Sequence, residues 1–253
     1  MQSKKTKHIW SQFISDEEWS VYQEGIRVVR KSKVEFLIGG AFGLAVYTGR
    51  WRDTKDLDLL IRPRDRDSIV KTLTDCGFVD YYDQRAYDRG WIYRSTRDGF
   101  IIDVIWAMAN RRAEVDDIWF ERAPLITIRT EKLRVVPAEE LLWHKLYVLQ
   151  RDRCDWPDVW NLLNQNGPTL DWEHLLNRLG DDTQLLKAAL FVFDWICPKV
   201  SSELPEWVRE HFALPHHLPN ETVDWKRNVG LLDSRPWFAG LEPASQKLGV
   251  NNF

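Results

Sequence analysis

Cysteine, long apolar runs and net charge are all scarce in this 253-residue chain. The three cysteines, Cys76, Cys154 and Cys197, lie far apart with no C-x-x-C spacing. That excludes a disulfide framework and a cysteine-rich zinc site, and it fits a reducing compartment. No run of about 18 apolar residues is present to span a bilayer, and the N-terminus lacks an apolar signal core. A cytoplasmic protein with no membrane partner is therefore expected. The formal net charge of −3 gives no global basic footprint for nucleic acid. There is no internal repeat and no low-complexity segment. The six histidines include the pair His216-His217, but adjacent residues seldom share a metal ion. Tryptophan, by contrast, is abundant at 14 residues, and its scatter along the chain suits core and interface anchoring.

The most informative stretch runs from Phe36 to Ile61. Val34 to Ile38 is mostly apolar, broken only by Glu35, and reads as a largely buried strand. Gly39-Gly40 follows at once, then a helical pattern carrying Ala41, Leu44 and Ala45. Glycine allows a positive φ and a close backbone approach. The free N–H groups of a helix start favour an anion such as a phosphate. Lys55-Asp56-Leu57-Asp58 then opens a second strand that Leu59, Leu60 and Ile61 continue. Strand residues two apart share a face, so Asp56 and Asp58 present two carboxylates side by side while Leu57 turns to the core. Two like charges that close call for a cation. A hard divalent ion such as Mg²⁺ takes oxygen ligands of this kind. Alone, the glycines also read as a tight turn and the Asp-Leu-Asp as a solvated strand entrance.

The ordered set of apolar strand, Gly39-Gly40, short helix and Asp56-Leu-Asp58 resembles the signature of the nucleotidyltransferase superfamily with the DNA polymerase β-type fold. The wording Thr48-Gly-Arg-Trp-Arg-Asp-Thr-Lys-Asp-Leu-Asp58 is similar to that of minimal bacterial members, such as lincosamide and aminoglycoside nucleotidyltransferases and AbiEii-like toxins. The resemblance implies a mixed β-sheet flanked by helices, an α/β (α+β) core. It also implies a third carboxylate on a neighbouring strand.

Trp91 to Ser95 and Phe100 to Trp106 read as a hairpin turned by Arg97-Asp98-Gly99. Asp103 stands inside the second strand between Ile102 and Val104, where an acid is expensive to bury without a partner. It fits the third carboxylate that the resemblance asks for, or an acid salt-bridged to an arginine. The resemblance implies that Asp56, Asp58 and Asp103 are catalytic and bind Mg²⁺ or Mn²⁺. An NTP would supply a nucleoside monophosphate to an acceptor hydroxyl on a small molecule, an RNA end or a protein, with pyrophosphate released. Asp103 would join a second metal site or act as general base. Gly39, Gly40, Thr54 and Lys55 would line the nucleotide, with Thr54 equally able to cap the loop. Lys55, Arg50 and Arg52 read equally as a solvated loop face.

Around this core, Ser15-Asp-Glu-Glu18 is a capping-box pattern for a helix to about Lys31, with Trp19, Tyr22, Ile26 and Val29 inward. A helix from Asp65 to Cys76 and a strand from Phe78 to Tyr82 are expected between the two halves of the site. Asp116 to Glu121 is read as a short helix and Leu125 to Arg129 with Leu133 to Val136 as a hairpin. Pro137 opens a further helix. The segment through Lys145, Asp155 and Asp158 resembles a motif of minimal nucleotidyltransferases. It implies a phosphate contact by Lys145 and a polar cluster completed by Asp155 or Asp158, against a helix salt-bridge set as the plainer reading. His144 suits a structural or rim position. Helices are expected over Asp171 to Leu179, Thr183 to Ile196 and Ser202 to Phe212, then an irregular tail with Pro215, Pro219, Pro236 and Pro243.

The expected organisation is an N-terminal helix region (1–33), a nucleotidyltransferase core (34–136), a helical part (137–213) and a tail (214–253). A homodimer is compatible with it. The competing expectations are a non-catalytic nucleotidyltransferase-like antitoxin or interaction module, and an RNA-binding stripe of Arg50, Arg52, Arg62, Arg64 and Arg66.

Overall fold

The computed structural model describes residues 9–52, 54–151, 153–217 and 225–232. The chain divides into two compact units, Met1–Pro137 and Ala138–Phe253.

In the first unit, helix α1 spans Asp16–Lys31, capped by Ser15, whose hydroxyl accepts from the Glu18 N–H at 3.1 Å. Glu18 does not close the capping box through a bond to the cap. Its carboxylate instead accepts from the Tyr22 hydroxyl at 2.8 Å. Trp19, Tyr22, Gly25, Ile26, Val28 and Val29 are buried. At Gly25 an added Cβ would lie 2.1 Å from Ile102 Cδ1, so the bare glycine lets α1 lie close over the sheet.

That sheet has five strands in the order β1-β2-β5-β4-β3. They are β1 (Leu37–Ile38), β2 (Asp56–Leu60), β3 (Val79–Asp80), β4 (Ile92–Arg97) and β5 (Phe100–Ile105). The β2–β5 pair is parallel, with Asp58 opposite Asp103. The other pairs are antiparallel. Between β1 and β2 runs helix α2 (Gly40–Thr48), and between β2 and β3 helix α3 (Arg66–Asp75). Asp98 and Gly99 both adopt positive φ, 53° and 81°. That is the two-residue I′ geometry, which matches strand twist and sets Arg97 opposite Phe100.

Two strands are shorter than their sequence suggests. Upstream of β1, Lys33 takes φ 60°, so Val34 and Phe36 pack against the core without joining the ladder. After β3, the Asp80 carboxylate accepts from the Tyr82 N–H and the Tyr87 hydroxyl, both at 2.9 Å. This Asx-type turn ends the strand. The unit closes with α4 (Asp117–Glu121) and the hairpin β6 (Leu125–Ile128) and β7 (Glu131–Arg134).

The second unit is helical. It contains α5 (Ala138–Leu146), α6 (Trp156–Asn166), α7 (Trp172–Leu179), α8 (Thr183–Ile196), α9 (Pro198–Ser201), α10 (Glu206–Phe212) and α11 (Trp225–Leu232). Its large indoles bury their rings and still satisfy their N–H groups. Trp160 donates to the Ala189 carbonyl at 2.9 Å and Trp172 to the Gly167 carbonyl at 2.8 Å. The single helix expected over Ser202 to Phe212 is confined to α10, because Pro205 has no N–H to continue a helix from α9. The tail expected to be irregular carries α11. Pro219, Pro236 and Pro243 lie outside the described residues. Among the described residues no helix is long and apolar enough to cross a membrane.

The burial pattern makes a stability test. Leu59 on β2 is fully buried, whereas Leu125 on β6 is 66% exposed. Leu59→Ala should cost about 2–5 kcal/mol in urea unfolding, and Leu125→Ala about 0.5 kcal/mol or less. Equal costs would contradict the placement of the core.

Candidate active site

Alternation on β2 turns Leu57 and Leu59 into the core and leaves Asp56 and Asp58 half-buried on the opposite face. Across the parallel pair, Asp103 joins that face at the level of Asp58. The three expected carboxylates therefore share one side of the sheet. Helix α2 starts beside them. The Gly39 N–H donates to the Asp58 carbonyl at 3.0 Å. Gly40 has φ +52°, and a Cβ added there would lie 1.5 Å from Asp58 Oδ2. Only glycine admits the carboxylate this close to the helix start, and a negative charge suits that end of the helix dipole. Gly39 is also closely packed, since a Cβ added there would meet Leu60 Cδ1 at 2.4 Å. The Thr54 hydroxyl donates to Asp56 Oδ1. Lys55 is exposed.

Sequence reasoning missed the side chain that ties this face together, Arg94 on β4. It stands opposite Asp103 in the hairpin register. Its Nε donates to Asp103 Oδ1 at 2.8 Å and its Nη2 to Asp103 Oδ2 at 2.5 Å. The same Nη2 is 3.7 Å from Asp56 Oδ2. The hydrogen bonds to Asp103, set against the desolvation that burial brings, hold the guanidinium above its already high ordinary value. The Asp103 side chain is 2% exposed and that of Arg94 30%. Hence Asp103 is a buried acid in a bidentate arginine pair on a central strand.

This decides how the face fits a metal. Asp56 and Asp58 offer hard oxygen donors of the type Mg²⁺ and Mn²⁺ take. Asp103 has both oxygens engaged by Arg94. Among the described residues no group of three or more His, Cys, Asp or Glu side chains is gathered to hold a metal ion. A cation at Asp103 would share that carboxylate with the Arg94 guanidinium, whereas Asp56 and Asp58 lie further from it.

Lys145, Asp155 and Asp158 belong to the second unit. The buried Lys145 Nζ, in the last turn of α5, donates to Asp155 Oδ2 at 3.0 Å and to Asp158 Oδ2 at 2.6 Å. Arg153 Nε also donates to Asp155 Oδ1 at 3.0 Å. Burial alone would raise the Asp155 carboxyl, but the charges of Lys145 and Arg153 more than reverse it and hold it down to about 2. His144, half-buried, is lowered to about 4 by burial and by Lys145, so it is neutral at pH 7. This is a salt-bridged brace between α5 and α6. Nearby, the fully buried Glu140, also missed in the sequence, is met by His174 Nε2 at 2.6 Å and Arg178 Nε at 3.3 Å.

The histidine pair and part of the arginine stripe make local ion pairs. His217 Nε2 is 2.9 Å from each Asp194 carboxylate oxygen, whereas His216 is exposed. In the arginine stripe, Arg62 bridges Glu35 and Asp117, and Arg64 also approaches Asp117. Arg66 pairs with Asp67 at 2.9 Å.

A family model described as uncharacterised nucleotidyltransferase matches residues 37–195. The chain is similar to several solved structures. The antibiotic-resistance factor ANT(2″)-Ia in solution is 14% identical, with 69% of this chain and 95% of that chain covered and a TM-score of 0.46. The lincosamide antibiotic adenylyltransferase LnuA, lincomycin-bound, is 17% identical over 59% and 96% of the two chains, TM-score 0.42. An antigenic nucleotidyltransferase-like protein from Paracoccidioides brasiliensis is 18% identical over 69% and 92%, TM-score 0.40. Likeness at these levels says nothing about substrate. None of the curated proteins matches this chain in sequence.

Two measurements test the geometry. Gly40→Ala adds strain at positive φ and drives a methyl into Asp58. It should cost about 2–4 kcal/mol of stability in urea unfolding, and wild-type stability would refute the close approach. In the second unit, the folded Asp155 value lies below its unfolded value near 4. Its contribution, about 2 kcal/mol, is thus complete above pH ~4 and lost as pH falls through ~2. Asp155→Asn should flatten acid unfolding, followed by circular dichroism, in that window. An unaltered acid profile would argue against the brace.

Proposed function

This chain belongs to the uncharacterised nucleotidyltransferase family, and from that premise we propose that it moves a nucleoside monophosphate from an NTP to an acceptor hydroxyl. The observation that carries the reading is the pairing of Asp56 and Asp58 on one strand face, with Asp58 seated against Gly40 at the start of α2. Asp56 and Asp58 would hold a Mg²⁺ or Mn²⁺ ion. When bound, that ion supplies charge neutralisation on the triphosphate. Gly40 admits the Asp58 carboxylate to the start of α2, and Gly39 lets the turn pack on Leu60. Thr54 fixes the Asp56 carboxylate by its hydrogen bond, and Lys55 adds positive charge at the mouth.

In the reaction the acceptor oxygen bonds to the α-phosphorus and the bond from that phosphorus to the β-bridging oxygen breaks. Pyrophosphate leaves with the electron pair, and the hydroxyl proton passes to solvent water. The acceptor is a small molecule, an RNA end or a protein side chain. Lys145 and Asp158 have no part in this proposal, because their charges are already matched within the second unit.

One observation favours the non-catalytic module instead. The third carboxylate of the expected set is locked to Arg94. The test separates the two readings. Thermal unfolding of the wild type is followed with each NTP, with and without Mg²⁺. A nucleotide at about 100-fold over its Kd adds about 2.7 kcal/mol, or about 5–10 °C for a chain of this size. That shift should need Mg²⁺ and vanish in Asp58→Asn, and incubation with candidate acceptors should then release pyrophosphate. No shift with any nucleotide would favour the non-catalytic module.

A further inference from the structure

The carboxylate face carries its own cation. Asp56, Asp58 and Asp103 point to one side of the sheet, and Arg94 is the guanidinium inserted among them. It takes both oxygens of Asp103 at 2.8 and 2.5 Å, and the same nitrogen that makes the shorter contact reaches to 3.7 Å from Asp56. A divalent ion ligated by Asp103 would sit beside that guanidinium, like charge against like charge. Arg94 is also fixed from behind. Its backbone N–H donates to the Tyr87 hydroxyl at 3.0 Å, and Tyr87 is itself bonded to Asp80 at 2.9 Å.

We propose that Arg94 is the resident second cation of this site. The face then takes a single divalent ion, at Asp56 and Asp58. Asp103 is a positioning residue that acts by aiming the Arg94 guanidinium toward the triphosphate, not a metal ligand. The proposal rests on the nucleotidyl-transfer reading of the same face. It departs from the sequence expectation, in which Asp103 served a second metal or took the acceptor's proton. Both oxygens of Asp103 accept from Arg94, so a metal ion there would face a like charge and a proton taken there would break the ion pair. The fork of Nε and Nη2 is spent on Asp103, so a phosphate oxygen would be met by the Nη1 donors of the same delocalised charge.

The test is metal stoichiometry. The full chain is dialysed to equilibrium against Mn²⁺ and the α,β-methylene analogue of each of the four ribonucleoside triphosphates. The readout is Mn²⁺ retained per bound nucleotide. The wild type should retain one. Arg94→Gln, which removes the charge and frees Asp103, should retain two, and Arg94→Gln/Asp103→Asn should return to one. A wild-type ratio of two overturns the proposal and leaves the nucleotidyl-transfer reading standing. A ratio of one in Arg94→Gln overturns it as well. Retention of no nucleotide by any form overturns both. Should Arg94→Gln fail to fold around an uncompensated Asp103, the wild type and the neutral double variant still decide, since a ratio of two in either refutes it.

Discussion

A carboxylate buried in the middle of a β-sheet sets the terms for the first unit. Asp103 lies on β5 between Ile102 and Val104, both fully buried, and desolvating its charge there costs several kcal/mol. The Arg94 fork offsets that cost, and it can do so only in one register. Slipping the β4–β5 hairpin by one residue would turn Arg94 to the opposite face and strand both charges. The two-residue turn at Asp98 and Gly99 selects the same register from the other end. Ion pair and turn therefore specify one pairing of the central strands. Removing Arg94 alone takes the bidentate cation from the buried Asp103, a loss of about 3–5 kcal/mol.

The second fixed point is the junction of α2 with β2. Helix α2 is only nine residues long, too short to hold itself by propensity. It is apolar nearly all round, with Ala41, Phe42, Gly43, Leu44 and Ala45 buried. Phe42 meets Trp10, Tyr22 and Trp51 in edge-on contacts at ring-centre distances of 6.1, 5.6 and 5.1 Å. Packing on several sides thus clamps the helix, and Gly40 at its start meets Asp58 without a side chain between them. The position of the Asp58 carboxylate is set by the core beneath it. That is how a site built from two exposed-face acids acquires a defined geometry.

Much of this was legible in the residues. The Ser15 cap, the burial of Trp19, Tyr22, Ile26 and Val29, the Gly39-Gly40 turn and the Asp56-Leu-Asp58 strand all follow from local patterns, and the structure has them. Elements ended by distant or unusual groups were not legible. Lys33 at positive φ clips β1, and the Asp80 carboxylate clips β3. The helix α11 lies in a tail that proline content alone made look irregular. Arg94 is the instructive case. Its role was available in the sequence once the hairpin was accepted, because a turn at Asp98-Gly99 that pairs Arg97 with Phe100 also pairs Arg94 with Asp103. The signal was long-range pairing, which one-dimensional patterns reveal only when the register is followed through.

The second unit shows the opposite hazard, a pattern with two physical origins. Lysine near the end of one helix and acids at the start of the next are each favoured by the helix dipoles. Lys145 closes α5, while Asp155 and Asp158 open α6. A short connection brings the ends together, and the buried ammonium then needs both carboxylates. A Lys…Asp-x-x-Asp spacing is what such a helix–loop–helix brace requires by itself. The same spacing would serve a phosphate-binding lysine, so sequence alone gives it no preference. In the structure Lys145 is about as buried as its two partners, and two of its three N–H donors are committed to them inside the unit.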